Sequence, residues 1–159
     1  IDTIYTSPLS RARDTAKIIA SLHHLEIIPC SELREINFGY VEGLTYTEIS
    51  QQYPEFAQEL ANWKLPARFP GGEGPDEVNT RVLNFLPRLE GHAPEETILI
   101  VAHSGVLRLL ICNLLGIEIQ HRRNFHLNLG SLSILDTYPQ GGILSLLNDV
   151  SHLASVEVE

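Results

Sequence analysis

The 159 residues are 43% hydrophobic and 19% charged, the composition of a single globular domain with one sizeable core rather than of a disordered chain. Twenty acidic against eleven basic residues leave a net charge of −9, which repels phosphate backbones and anionic lipid and argues against nucleic acid or membrane as a partner. The most apolar stretch, 97–117, holds His103, Arg108 and Asn113, and a central Arg costs roughly 2.5–3.5 kcal/mol in a bilayer, so no membrane span is expected.

The chain opens Ile1-Asp2-Thr3-Ile4-Tyr5, with no initiator Met and no targeting pattern, and reads as the interior of a longer protein. Residues 2–6 lean towards strand. Ser7 then reads as an N-cap with Pro8 at the first helical position, opening a helix to about Leu22 whose Leu9, Ala12, Ala16, Ile19 and Ala20 share one face. Residues 25–30 form a short strand, placed at a sheet edge or ended by Pro29. Residues 33–43 have no period and two glycines, hence a loop. Thr45 with Glu48 predicts a capping box for a short helix, and Pro54 opens another to about Trp63.

Residues 64–75 carry Pro66, Pro70, Gly71, Gly72, Gly74 and Pro75 and are expected to be mobile. Asp76 is the expected cap of a helix with Val78, Val82, Phe85, Leu86 and Leu89 on its core face. Residues 97–102 read as a strand buried on both faces, followed by a helix from about Gly105 that Gly116 stops. Residues 131–136 and 143–147, joined through Pro139-Gln140-Gly141-Gly142, predict a terminal hairpin. This alternation of strand and helix implies an α/β sandwich with a mostly parallel sheet.

His103 is the most informative position, because it follows a strand and precedes Ser104-Gly105 and a helix, where open α/β sheets place ligands and free N–H groups attract anions. A core histidine bonded to a carbonyl is the blander alternative. Ser104 on that turn suggests a hydrolase nucleophile, but the elbow pattern needs Gly where Ala102 and Val106 stand. Arg11, one turn into the first helix, can project over the same sheet edge, whereas Arg13 points elsewhere and reads as a solvated charge. Glu35 lies in an apolar loop after a strand, where desolvation would raise its pKa towards that of a neutral-pH acid; an exposed loop charge or a capping partner is the competing reading.

No metal-ligand spacing emerges. His23 and His24 are adjacent, His121 and His126 stand apart from any Asp/Glu cluster, and His152 is isolated, so all five read as surface groups. Gly71-Gly72-Glu73-Gly74 lacks the ending of a phosphate-binding P-loop. Cys30 and Cys112 are too far apart to suggest a metal motif or a disulfide framework, which fits a reducing, cytoplasmic setting.

Ser7-Pro-Leu-Ser-Arg11-Ala-Arg-Asp-Thr-Ala16, Leu33-Arg-Glu35-Ile-Asn-Phe-Gly39-Tyr-Val-Glu42-Gly43, the Gly72-Glu73 turn with Arg81, Val101-Ala-His103-Ser-Gly-Val-Leu-Arg108 and the closing Asp149-Val-Ser-His152 together resemble the histidine phosphatase (phosphoglycerate mutase-like) family. The resemblance runs in order along essentially the whole chain. It implies a three-layer α/β/α sandwich forming one domain over 1–159. It makes Arg11 a phosphoryl-binding residue, Glu35 the proton donor and His103 a phosphate-pocket histidine, with the Ser104 N–H helping to clamp the oxygens.

The family also begins with a strand ending in Arg-His-Gly, whose histidine becomes phosphorylated. No Arg-His-Gly occurs in these 159 residues. The resemblance therefore implies that the domain is N-terminally incomplete here, lacking a central strand beside the one that leads to His103. Phosphatase activity through a phosphohistidine, with no metal or other cofactor, would belong to the parent protein, and the chain as given would be inactive. The short loops and the motif at His103 look phosphatase-like rather than mutase-like. They are most similar to the α-ribazole-5′-phosphate and broad-specificity branches, with Gly74 where those often carry Ser. The implied partner is a phosphorylated small molecule. The alternative is a non-catalytic module whose Arg11–His103 pocket binds an anion or a protein.

Overall fold

The computed structural model describes residues 1–62 and 68–154. The chain divides into two compact units, Ile1–Val106 and Leu107–Glu159. The first contains strand β1 (Thr3–Thr6), helix α1 (Ser10–His23), β2 (Ile27–Pro29), α2 (Tyr46–Gln52), α3 (Pro54–Ala61), α4 (Pro75–Phe85), α5 (Pro87–Glu90) and β3 (Ile98–Val101). Helix α6 (Ser104–Leu115) starts in this unit and carries the chain into the next.

β1 sits between β2 and β3, and both pairings are parallel, with Tyr5 opposite Ile28 on one side and Ile100 on the other. The first three elements are a βαβ unit, whose crossover helix must lie on a sheet face. That helix presents Ala12, Ala16 and Ala20 at four-residue spacing, and the small side chains let its backbone come down on Ile4, Ile27, Leu99 and Val101. The opposite face is covered by α4. Its Val78, Val82 and Phe85 are fully buried, and the Phe85 ring meets Tyr5 edge-on at 5.3 Å between centroids. Helix, parallel sheet and helix are thus the layers of this unit. His92, a histidine with no expected role, closes the Tyr5 side, its Nε2 2.9 Å from the Tyr5 hydroxyl and its Nδ1 3.0 Å from Glu96.

Several expectations are corrected. Ser7 and Pro8 precede α1, which begins at Ser10 with Leu9 as its N-cap, so Ser7 is not the N-cap, although its hydroxyl accepts the Leu9 N–H. Asp76 lies inside the first turn of α4. The N-cap is Gly74, whose N–H donates to Glu77 at 2.7 Å, and Pro75 takes the first helical position because it has no N–H to satisfy. The strand expected to be buried on both faces is half-buried at all four of its residues, since β3 is an edge strand of the sheet. The following helix, expected from about Gly105, starts at Ser104. The Thr45–Glu48 capping box is present, and Pro29 does end an edge strand. Of the expected mobile segment, residues 64–67, like the expected helix end at Trp63, lie outside the described residues. Residues 68–74 carry a hydrogen-bonded turn, with the Gly72 N–H on the Phe69 carbonyl at 2.8 Å and the Phe69 N–H on the Glu73 carbonyl at 3.1 Å.

In the second unit, α6 ends where Gly116 adopts a positive φ of 66° and the Ile117 N–H returns to the Cys112 carbonyl at 2.8 Å. Strands β4 (Leu132–Tyr138) and β5 (Gly141–Asp149) form the expected antiparallel hairpin, with β4 starting one residue later and running two further than the sequence pattern suggested and β5 longer by two residues at each end. Gly142 packs against α6 so closely that a Cβ there would lie 2.8 Å from the Leu114 carbonyl oxygen. Among the described residues no helix is long and apolar enough to cross a membrane.

Candidate active site

Each strand of the parallel sheet delivers polar groups at its carboxyl end, the place where open α/β sheets bind ligands. After β1 come Ser7 and then Arg11 in the first turn of α1; after β2 comes the loop with Glu35; after β3 comes His103. The backbone ladder continues past the strands and fixes their spacing. The Ser7 N–H donates to the Val101 carbonyl at 2.9 Å, and the Cys30 N–H donates to the Thr6 carbonyl at 2.8 Å.

His103 is buried, with 7% of its surface exposed. Its Nε2 lies 2.8 Å from the Ser7 hydroxyl, which itself accepts the Leu9 N–H at 3.3 Å, and its Nδ1 lies 3.9 Å from Glu35 Oε2. Burial, and after it the positive charge of Arg11, hold the His103 pKa down from 6.5 to about 4. The imidazole is therefore neutral at pH 7, and its contact with Glu35 is not an ion pair there.

Glu35 has a half-buried side chain, and its Oε1 accepts the Ile36 N–H at 3.0 Å. A Cβ on Gly105 would fall 2.9 Å from this same oxygen and 2.8 Å from Ile36 Cδ1, so the first turn of α6 can lie against the Glu35 loop only because residue 105 is glycine. Ser104 heads that helix, where N–H groups have no intrahelical acceptor and face outwards. Arg11 is exposed, and the influence of its charge on His103 places it within electrostatic reach. Arg13 is exposed beside Asp14 at 4.0 Å.

The structure thus brings together three side chains that the sequence singled out, Arg11, Glu35 and His103, with Ser104 next in the chain. Ser7 was missed as a site residue. Its position beside Pro8 looked like a helix start, and nothing local shows that its hydroxyl turns to a histidine 96 residues away. The five histidines expected at the surface are exposed. Among the described residues no group of three His, Cys, Asp or Glu side chains could hold a metal ion.

A buried histidine 3.9 Å from a carboxyl group, an arginine within electrostatic reach and a helix N-terminus thus meet at the carboxyl end of a parallel sheet, a place suited to holding an anion. The family model of the histidine phosphatase superfamily (branch 1) matches residues 1–150, and the chain belongs to that superfamily. Phosphoserine phosphatase 1 of Hydrogenobacter thermophilus is 30% identical over 159 residues, which is all of this chain and 75% of that protein. The adenosylcobalamin/alpha-ribazole phosphatase of Escherichia coli K12 is 31% identical over 147 residues, 92% of this chain and 72% of that one. Among solved structures, the alpha-ribazole phosphatase from Shigella flexneri superposes with a TM-score of 0.83 at 32% identity, covering 93% of this chain and 73% of its own.

Proposed function

We propose that the protein is a phosphomonoester hydrolase that works through a phosphohistidine, on α-ribazole 5′-phosphate or comparably small phosphoesters. The observation that carries this reading is the 3.9 Å approach of Glu35 to the buried His103 at the carboxyl end of the sheet. The nucleophilic histidine is not among these residues, and we place it on a further strand of the same single domain. The half-buried apolar strand β3, at a sheet edge, is a suitable neighbour for such a strand.

In this scheme Arg11, His103 and the Ser104 N–H gather the phosphoryl oxygens, and developing charge meets donors already in place. The nucleophilic imidazole attacks phosphorus as the P–O bond to the leaving group breaks, and the Glu35 carboxyl gives its proton to the departing alkoxide. The resulting carboxylate then takes a proton from water as the water oxygen attacks the phosphohistidine. Inorganic phosphate leaves, and the starting states of Glu35 and the nucleophile return.

The chain of 159 residues is expected to turn over no p-nitrophenyl phosphate, while the longer protein carrying an Arg-His-Gly strand does. Turnover by the verified chain alone would overturn the assignment of the nucleophile and make His103 the first candidate for it. An inactive longer protein would favour an anion- or partner-binding module.

A further inference from the structure

The backbone on either side of Glu35 is bonded to an ion pair. Arg81, in the second turn of α4, meets Glu73 through two parallel bonds, Nε to Oε1 at 2.8 Å and Nη2 to Oε2 at 3.0 Å. Its remaining nitrogen, Nη1, donates to the carbonyls of Glu32 at 2.7 Å and Arg34 at 3.1 Å. Glu73 completes the frame, its Oε2 accepting the Asn37 N–H at 2.9 Å and its own N–H donating to the Asn37 carbonyl at 2.8 Å. Backbone groups on both sides of Glu35 are thereby tied to one ion pair.

The two side chains are about three-quarters buried, which sets this pair apart from the exposed ion pairs that add little. Burial raises the Glu73 pKa, but the Arg81 hydrogen bonds, the Asn37 N–H and the charges of Arg81 and Arg34 outweigh it and leave the carboxyl below the ordinary range. The pair is therefore ionised at neutral pH. The guanidinium is needed for its shape as well as its charge. A lysine is a point charge that cannot make a two-pronged carboxylate contact while also reaching two carbonyls.

We propose that Arg81 and Glu73 are positioning residues that hold the 32–37 loop so that the Glu35 carboxyl stays against His103. This rests on the reading of Glu35 as the proton donor. A displacement of about 1 Å at a reacting group can cost on the order of 100-fold in rate. Arg81→Met in the longer protein should therefore lower kcat/KM for an alkyl phosphate about 10–100-fold more than for p-nitrophenyl phosphate, whose leaving group needs no proton. Arg81→Lys should shift the same ratio in the same direction by less. In a Glu35→Gln background, Arg81→Met should not change that ratio further, because the carboxyl it positions is gone.

A second readout is independent of turnover. The nuclear Overhauser contact between the Ile36 Cδ1 methyl and the Gly105 Hα protons reports whether the loop is docked on α6. It should weaken in Arg81→Met and Glu73→Gln and persist in Glu35→Gln. A folded Arg81→Met that keeps this contact and slows both substrates equally would overturn the proposal. Should Arg81→Met not fold, Arg81→Lys and Glu73→Gln are judged by the same contact and the same ratio. A Glu35→Gln protein with no preference between leaving groups would instead sink the proton-donor reading, and the Ile36–Gly105 contact alone would then decide whether the pair holds the loop.

Discussion

Glu35→Gln is expected to lower kcat/KM for an alkyl phosphate by about 10²–10⁴-fold, the usual worth of general acid catalysis, while p-nitrophenyl phosphate is nearly unaffected. Glutamine keeps the size of the side chain and can still accept the Ile36 N–H, so the loop should stay in place. What it cannot do is deliver a proton. An alkoxide leaves poorly without one, whereas p-nitrophenolate departs unaided. The ratio kcat/KM is the appropriate quantity because it reports steps up to departure of the leaving group, before Glu35 is asked to activate water. Equal losses on the two substrates would reduce Glu35 to an electrostatic role and leave the donor unidentified.

His103→Ala is expected to slow both substrates by comparable factors, about 10²–10³-fold each, the range seen when one preorganised donor to a developing anion is removed. Every phosphoester carries the same phosphoryl oxygens, so a residue that stabilises them cannot discriminate between leaving groups. The substitution also frees the Ser7 hydroxyl, which now has His103 Nε2 at 2.8 Å, and leaves a void behind a buried side chain. A thermal unfolding curve therefore accompanies the kinetics, and the loss counts as catalytic only where the variant remains folded. A His103→Ala protein that lost only the alkyl substrate would mean the roles of His103 and Glu35 had been exchanged.

The elements most legible in the sequence were those whose determinants are local. The Thr45–Glu48 capping box, the alanine stripe of α1 and the α4 stripe through Val78, Val82 and Phe85 each need only neighbours within a few residues, and all are present. Helix starts were less legible where two residues competed for the cap. Ser7 has the right chemistry for a cap, but its N–H is taken by the Val101 carbonyl and its hydroxyl by His103, both long-range partners that no local pattern encodes.

The same reasoning separates what could be read of the site from what could not. His103 at a strand end and Arg11 one helical turn after another strand are positional signals, legible once an α/β alternation is recognised. The role of Glu35 needed the resemblance, because a loop carboxylate alone is most often a surface charge. The Gly72-Glu73 turn with Arg81 was part of the resemblance, but its bonds to the Glu35 loop were not legible, because they join segments separated by 36 to 49 residues.

The measurement that tests the central claim most directly is the pH titration of the His103 imidazole by nitrogen NMR, in the longer protein, with and without saturating inorganic phosphate. Without phosphate the ring should titrate well below 6.5, as burial and Arg11 require. A bound anion favours the protonated ring, so phosphate should raise that pKa by about one unit or more, equivalent to at least about 1.4 kcal/mol of preferential interaction with the imidazolium. By linkage, phosphate should then bind more tightly as the pH falls through this range. An unchanged His103 pKa in a protein shown by its other resonances to be saturated with phosphate would contradict the account, because the phosphoryl pocket would then lie elsewhere.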